Sequence, residues 1–379
     1  MVAVVDEIWK LKPRARIEFW TDKKYYVNVV KMTTPMGPGI KARKVMAGKL
    51  RRYTHFKFVD YLKHFDVVLN NLVDVFKIMI GFFQSIVGLM RLKPNVVFLK
   101  GGYVGLPVGV AARLLRIPYV IHDSDAVPGL TNRVLAGGAK RIATGMPLEN
   151  YKYSEEKAEW TGIPVNSEFR SVTAKRRGEL KKDLGFARDE PLTVVTGGSL
   201  GAQHINEALR DILPEMLKFT SVLLVAGRER YPEMMDLKEY EMWENGSLLT
   251  NFRMIEFTAN MPELFGAADV VVSRAGASTM AELANMHKAV VMVPNYKLPG
   301  KHQVKNAEAY LKVKATIVVE DEAMVEQPGL LLKAVRGLIK DKEKRELIAQ
   351  NLKEFAMPDA AERLARMIVN TGDGNGKRL

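Results

Sequence analysis

Cysteine is absent from all 379 residues. That excludes a disulfide framework, a thiolate metal site and a thiol nucleophile, and it suits a cytosolic protein. The residues after Met1, VAVVDEIWKL, carry acid where a secretory n-region is basic, so they do not read as a signal peptide. Nor is any long apolar run unbroken. The most hydrophobic stretch, Val67 to Met90, is interrupted by Asp74 and Lys77. That charge pair disfavours a spanning helix, and a buried or interfacial helix is expected. Acid is in deficit, 43 Asp and Glu against 57 Lys and Arg, for a net charge of +14. An anionic partner follows: nucleic acid, anionic lipid or a phosphorylated substrate. No zinc-finger spacing, basic-region heptad or RNA-binding aromatic signature accompanies the charge, so no nucleic-acid partner is expected.

What remains is a globular composition, 47% hydrophobic and 26% charged, in a length that suits two α/β domains. Strands alternate with helices almost throughout, as in βαβ units with parallel sheets. In the first half, strands are expected at Ala15–Trp20, Asn95–Lys100, Pro118–His122 and Arg141–Thr144, with helices at about Val104–Leu115 and Leu130–Gly137. Tyr151 to Glu190 is polar and reads as a linker region. The second half restarts with strands at Leu192–Thr196, Val222–Ala226, Met254–Phe257, Val270–Ser273, Ala289–Val293 and Thr316–Val319. Amphipathic helices at Glu343–Phe355 and Ala360–Asn370 close the chain, split at Pro358. The expected domains are therefore 1–166 and 190–355, with 356–379 a helix packing back toward the first.

The segment DVVVSRAGASTMAE, Asp269 to Glu282, carries the most information. A buried parallel strand breaks at Ser273-Arg274-Ala275-Gly276 and a helix begins near Ala277. Free backbone N–H groups and the positive end of a helix dipole then face the place where an open α/β sheet binds phosphorylated ligands. Glu282, further along that helix, offers two acceptor oxygens suited to a ribose diol. The bland alternative is an ordinary βα turn with a solvated Glu. An internal echo favours the former: FLKGGYVGLPVGVAARL (from Phe98) and VVTGGSLGAQHINEAL (from Val194) both run strand, Gly-Gly, a third Gly and helix. The repeat implies two similar nucleotide-fold domains, expected to face each other across a cleft. At the front, a helix-like segment leads into the first strand, whereas a doubly wound domain opens on a strand and a Gly-rich turn. The first strand and Gly-rich loop therefore read as missing.

Several ordered motifs together resemble the MurG family, UDP-N-acetylglucosamine transferases acting on a lipid-linked muramyl-pentapeptide. They are GGYVGLP (Gly101–Pro107), HDSDAVPGLTNRVLA (His122–Ala136), GGSLGA (Gly197–Ala202), ADVVVSRAGASTMAE (Ala268–Glu282), HQVKNA (His302–Ala307) and PDAAERLA (Pro358–Ala365). The resemblance implies a glycosyltransferase of two Rossmann-like domains. It would move GlcNAc from UDP-GlcNAc to undecaprenyl-pyrophosphoryl-MurNAc-pentapeptide with inversion, at the cytoplasmic side of the cell membrane, without metal or cofactor. On that resemblance Gly101, Gly102, Gly197, Gly198 and Gly201 belong to phosphate loops, and Ser199 holds the UDP phosphates. Ala277, Ser278, Thr279, Met280, Ala281 and Glu282 bind the nucleotide, with Glu282 on the ribose. Thr258, after Phe257, stands where the family's backbone meets uracil, while His302 and Gln303 reach the sugar.

The first half departs from the family pattern. HEQN is HDSD here, so Asp125 occupies a ligand position held by Asn, and GNPVR is GIPVN, leaving Asn166 in place of an Arg. Asp123 and Asp125, at a strand's carboxyl end, are the candidate general bases; for such an Asp the competing role is capping. The family's GGTGGH loop is absent, and Val2 to Ile8 resembles the helix after it. The reading frame is therefore expected to extend roughly 15–25 residues upstream, encoding the strand and turn with which such domains open. Lys41, Arg43, Lys44, Lys49, Arg51, Arg52 and Lys57, with Phe56 and Phe58, suit docking on an anionic leaflet or form a solvated basic loop. Competing functions are a diacylglycerol glycosyltransferase, a UDP-sugar 2-epimerase and an inactive membrane-bound interaction protein.

Overall fold

The computed structural model describes residues 1–37, 39–49, 65–198, 202–241, 243–244, 247–248 and 251–374. Two compact units divide them: Met1–Pro164 with Asp359–Leu379, and Val165–Pro358.

The first unit runs α1 (Val2–Leu11), β1 (Ile17–Thr21), α2 (Tyr26–Thr33), β2 (Ile40–Lys44), α3 (Phe65–Leu92), β3 (Val97–Leu99), α4 (Gly102–Leu114), β4 (Tyr119–Asp123), α5 (Leu130–Leu135), β5 (Arg141–Thr144) and β6 (Ala158–Trp160). Strands β3-β4-β5-β6 form one parallel sheet, and β1-β2 a separate parallel pair. Alternation along the strands sorts side chains between two faces. Leu99, Tyr119, Ile121 and Ile142 pack with Leu89, Val108, Ala112 and Leu135 from the helices on one side. Phe98, Val120 and Ala143 pack on the other, with Val4 and Ile8 of α1. Each large side chain so buried contributes about 1.5–3 kcal/mol.

Helix α3 shows two apolar faces. Ser85 and Leu89 are buried, and Gly81 lets the chain pass closely, since a Cβ there would lie 1.8 Å from the Met46 carbonyl oxygen. The opposite face exposes Leu72, Phe76, Met79, Phe83 and Met90. Asp74, buried, pairs with Lys77 at 3.0 Å. The charge pair that breaks the apolar run is thus satisfied within one turn. By length and composition Asn71–Leu92 could cross a membrane, with 28% of its window buried.

The second unit contains α6 (Ala174–Asp183), β7 (Leu192–Thr196), α7 (Gln203–Met216), β8 (Ser221–Val225), a short hairpin of β9 (Trp243–Glu244) and β10 (Ser247–Leu248), β11 (Phe252–Ile255), α8 (Met261–Ala267), β12 (Val270–Ser273), α9 (Ala277–Asn285), β13 (Ala289–Met292), α10 (His302–Lys312), β14 (Ile317–Val318), α11 (Asp321–Glu326), α12 (Gly329–Lys340) and α13 (Lys342–Lys353). Its parallel sheet has the order β11-β8-β7-β12-β13-β14. Setting the hairpin aside, that is 3-2-1-4-5-6, the doubly wound order whose direction reverses between β7 and β12. The central strands are buried on both faces, which explains runs such as Val270–Val272. The chain then returns to the first unit, where Leu364 and Ile368 of α14 (Ala360–Asp373) pack beside α1.

Two expectations need correcting. The region from Tyr151 to Glu190 is not a linker: β6 extends the first sheet, and α6 belongs to the second unit. Helix α6, AKRRGELKKD, is nearly all polar and shows little period, yet Thr173 caps it by accepting the Arg176 N–H at 3.2 Å. Its Lys181, buried, reaches Asp269 at 2.6 Å. Part of the basic segment, Ile40–Lys44, is strand β2 rather than loop; Arg51, Arg52, Phe56, Lys57 and Phe58 lie outside the described residues.

Candidate functional site

Two groups of residues gather at the carboxyl ends of strands, one in each unit. In the second, the turns after β7 and β12 meet at the reversal of strand order. Gly197 and Gly198, Ser273 and Arg274, Thr279, and Gln303 line a cavity of about 640 Å³ there. Gly198 stands at φ +83, a left-handed conformation glycine adopts freely, and its N–H is held by the Thr196 hydroxyl at 3.2 Å. Ser199 and Gly201 lie outside the described residues. The chain resumes at Ala202, from which α7 opens, and α9 opens on Gly276. Both helices thus begin at the cavity with N–H groups that no intrahelical carbonyl takes up.

Three side chains join beside these turns. Arg274 donates to Asp321 at 2.6 Å and to the Val293 carbonyl at 3.1 Å. His204, in the first turn of α7, places Nδ1 2.9 Å from the other Asp321 oxygen. Asp321 is itself buried, so one carboxylate fixes a guanidinium and an imidazole on the cavity wall. Asn306 donates to the Ala275 carbonyl at 3.0 Å, tying α10 to the β12 turn. Gln303 accepts the Asn295 N–H at 3.0 Å, which leaves its amide N–H₂ available.

The other expected positions of this half are spread more widely. Ala277, Ser278, Thr279, Met280 and Ala281 form the opening of α9, but Met280 is fully buried as core. Glu282 is half-buried, and no hydrogen bond or ion pair to its carboxylate occurs among the described residues. Burial alone pushes that carboxyl up from 4.5 to about 7. Thr258 and His302 do not line the cavity. The Thr258 hydroxyl accepts the Asn260 N–H at 2.9 Å, and the Arg228 guanidinium lies 4.0 Å from the centre of the neighbouring Phe257 ring.

In the first unit, Gly101 and Gly102 open α4 at φ +75 and +73. Thr131 donates to the Gly102 carbonyl at 2.8 Å. The adjacent HDSD turn is tightly held. His122 is completely buried, with Nε2 3.0 Å from the Gly162 carbonyl and Nδ1 3.3 Å from the Ser124 hydroxyl. Burial pulls its imidazole down to about 4, so the ring is neutral near pH 7. Asp123 is also buried: one oxygen accepts from Asn132 at 2.8 Å and Gly129 at 3.2 Å, the other from Tyr153 at 2.6 Å. Burial raises its carboxyl while these donors act oppositely. Asp123 thus braces the 124–129 loop. Asp125 is half-buried beside the positive charge of Lys100, and its carbonyl accepts from Tyr151 at 2.7 Å. Asn166 lies in an exposed turn, where its side chain binds Glu168 at 3.0 Å.

The sequence alone does not single out Arg274, His204 and Asp321. The signal for Arg274 was its place directly after a buried strand, at the carboxyl edge where such sheets bind ligands. Nothing local marks Asp321.

Sequence comparison agrees with the geometry. Residues 192–364 match the glycosyltransferase family 28 C-terminal domain, and residues 38–144 its N-terminal domain. The UDP-N-acetylglucosamine–N-acetylmuramyl-(pentapeptide) pyrophosphoryl-undecaprenol N-acetylglucosamine transferase 2 of Bacillus cereus is 32% identical, over 81% of this chain and 79% of that protein. The chain belongs to the MurG family. The corresponding transferase of Clostridium kluyveri is also 32% identical, over 87% of this chain and 85% of its own. The crystal structure of Acinetobacter baumannii MurG superimposes with a TM-score of 0.72 at 24% identity, covering 97% of this chain and 94% of that one. The two-unit fold is therefore the family's.

Proposed function

We propose that the chain transfers N-acetylglucosamine from UDP-N-acetylglucosamine to undecaprenyl-pyrophosphoryl-MurNAc-pentapeptide, with inversion at the anomeric carbon. The observation that carries the reading is the crevice between the β7 and β12 turns, where two helix N-termini and Arg274 converge. As the glycosidic bond to UDP breaks, charge develops on the diphosphate. Oriented N–H groups and a guanidinium already fixed by Asp321 relieve it without reorganising. Glu282 binds the ribose diol, accepting two O–H bonds as a carboxylate. Gln303, on the cavity wall, takes the sugar hydroxyls, and Thr258 and His302, outside the cavity lining, meet the base and the sugar where the ligand extends beyond it.

On the acceptor side, Asp125 takes the proton of the attacking hydroxyl. Asp123, whose oxygens are all engaged, holds the loop that presents it. The exposed apolar stripe of α3 lies in the membrane interface at the cytoplasmic face, a peripheral attachment aided by Lys41, Arg43, Lys44 and Lys49.

Incubating the protein with UDP-N-acetylglucosamine and a short-chain lipid acceptor tests the reaction. UDP release that requires the acceptor, with GlcNAc joined to it, is expected. Turnover of the donor to its 2-epimer, or UDP release indifferent to acceptor, would overturn it.

A further inference from the structure

The amino edge of the first unit's sheet holds a second cavity, about 940 Å³, where β4, β5 and β6 begin. The turns described above sit at the strands' opposite ends. Tyr119 and Ala139 form an apolar floor, and among the described residues seven cationic side chains converge above it against one lining carboxylate, Glu159. That carboxylate is already taken, by Arg141 at 3.0 Å and Arg363 at 3.5 Å, and Arg366 is paired with Glu362 at 2.7 Å. Arg113, Arg116 and Lys140 have no carboxylate within ion-pair distance among the described residues; Lys157 reaches only the Gly137 carbonyl, at 3.5 Å.

Packing does not call for this arrangement. The C-terminal dipole of α4 accounts for Arg113, but Lys140 and Lys157 precede strands, which carry little net dipole. Cations that merely solvate a surface spread apart. Here they crowd a concavity with low-dielectric walls, which concentrates positive potential, and Arg113, Arg116, Lys140 and Lys157 stay without a paired carboxylate among the described residues. Guanidinium forks match phosphate oxygens in pairs, and the lysines add point charges.

We propose that this hollow is a second anion site, which takes the phosphate group of a phosphorylated ligand. It lies in the other unit from the nucleotide crevice and does not rest on the reading of that crevice. The phosphate comes from a soluble anion or from a phospholipid headgroup, and the two sources separate by experiment.

Titration calorimetry on the full chain, with UDP in excess, would use inorganic phosphate and, separately, dihexanoyl phosphatidylglycerol below its micelle concentration. The double variant Arg113→Gln, Lys140→Gln would be compared, with its thermal unfolding checked against wild type. Wild type should bind, and the variant at least tenfold more weakly, with UDP affinity unchanged. Similar affinity for both probes identifies the bare phosphate as sufficient. At least tenfold tighter binding of the lipid identifies a headgroup site. Absence of binding by wild type, or undiminished binding by the folded variant, would overturn the proposal.

Discussion

The second unit lays all six of its long-range parallel strands in one sheet, whereas the first divides six strands between a pair and a sheet of four. In the second, β7 stands hydrogen-bonded between β8 and β12 at the reversal point. In the first, β1 bonds to β2 and β3 to β4, and among the described residues no strand bonds to both β1 and β3. Val97 donates to Pro118, on the β4 side, so by alternation Phe98 turns its backbone groups the other way. Glu18 and Trp20 of β1 likewise turn away from β2, since Ile17 bonds Gly39 on that side. The contrast is one of cohesion. Strand ladders and buried polar ties hold the second unit, while packed helices on both faces carry more of the first.

The sharpest break is Asp269→Ala. Its carboxylate holds buried Lys181 at 2.6 Å and the Leu192 N–H at 2.9 Å, and removing it strands a buried ammonium. About 3–5 kcal/mol should be lost from the second unit alone. Denaturant unfolding followed by hydrogen exchange resolves the units; equal destabilisation of both would refute the division of cohesion.

Next in size is the apolar face peculiar to the first unit. Replacing Phe76 and Phe83 by Ser should cost on the order of 2–4 kcal/mol of vesicle partitioning, read by sedimentation with anionic liposomes. Unchanged partitioning would remove α3 from the membrane reading.

Glu282 tests the crevice of the second unit. Its carboxyl, raised from 4.5 to about 7, is partly protonated near neutrality, while a ribose diol favours the carboxylate. UDP binding should therefore release a proton, and affinity should fall as pH drops from 8 to 6. Glu282→Gln should weaken UDP binding by about 1–3 kcal/mol at pH 8 and flatten that profile. The stability effect has the opposite sign. Without ligand the raised value favours the folded state at low pH, and this contribution is lost as pH rises through about 7. The Gln variant should thus be the more stable form at pH 8 and gain nothing at pH 4.

The smallest effect concerns the β3 edge of the first unit's sheet. The Phe98 amide should exchange at least about tenfold faster than that of Val271, which lies in a strand paired on both sides, a gap of about 1.4 kcal/mol in opening free energy. Equal protection would mean that the first unit's edges are satisfied by other groups.

Legibility in the sequence follows burial and local pattern rather than the division into units. Val270–Ser273, Leu192–Thr196 and Arg141–Thr144 are legible to the residue, because strands buried on both faces make apolar runs bounded by turn residues. Ile40–Lys44 is not legible because its side chains alternate with charge at a sheet edge, nor α6, because its packing rests on Lys181 and a cap rather than an apolar stripe. The Gly-rich turns of the site were legible, since left-handed turns select glycine. The Arg274–Asp321–His204 group was not: its members are 47 and 117 residues from Asp321 along the chain, and only the fold brings them together.

That shared carboxylate has a kinetic consequence. Asp321 holds Arg274 and His204 in place on the β12 and α7 side of the crevice, so that wall does not wait on a ligand to assemble. Encounter then limits capture, and nucleotides that differ in what they offer this wall should arrive at nearly equal rates and leave at different ones. Discrimination resides in how long a diphosphate stays.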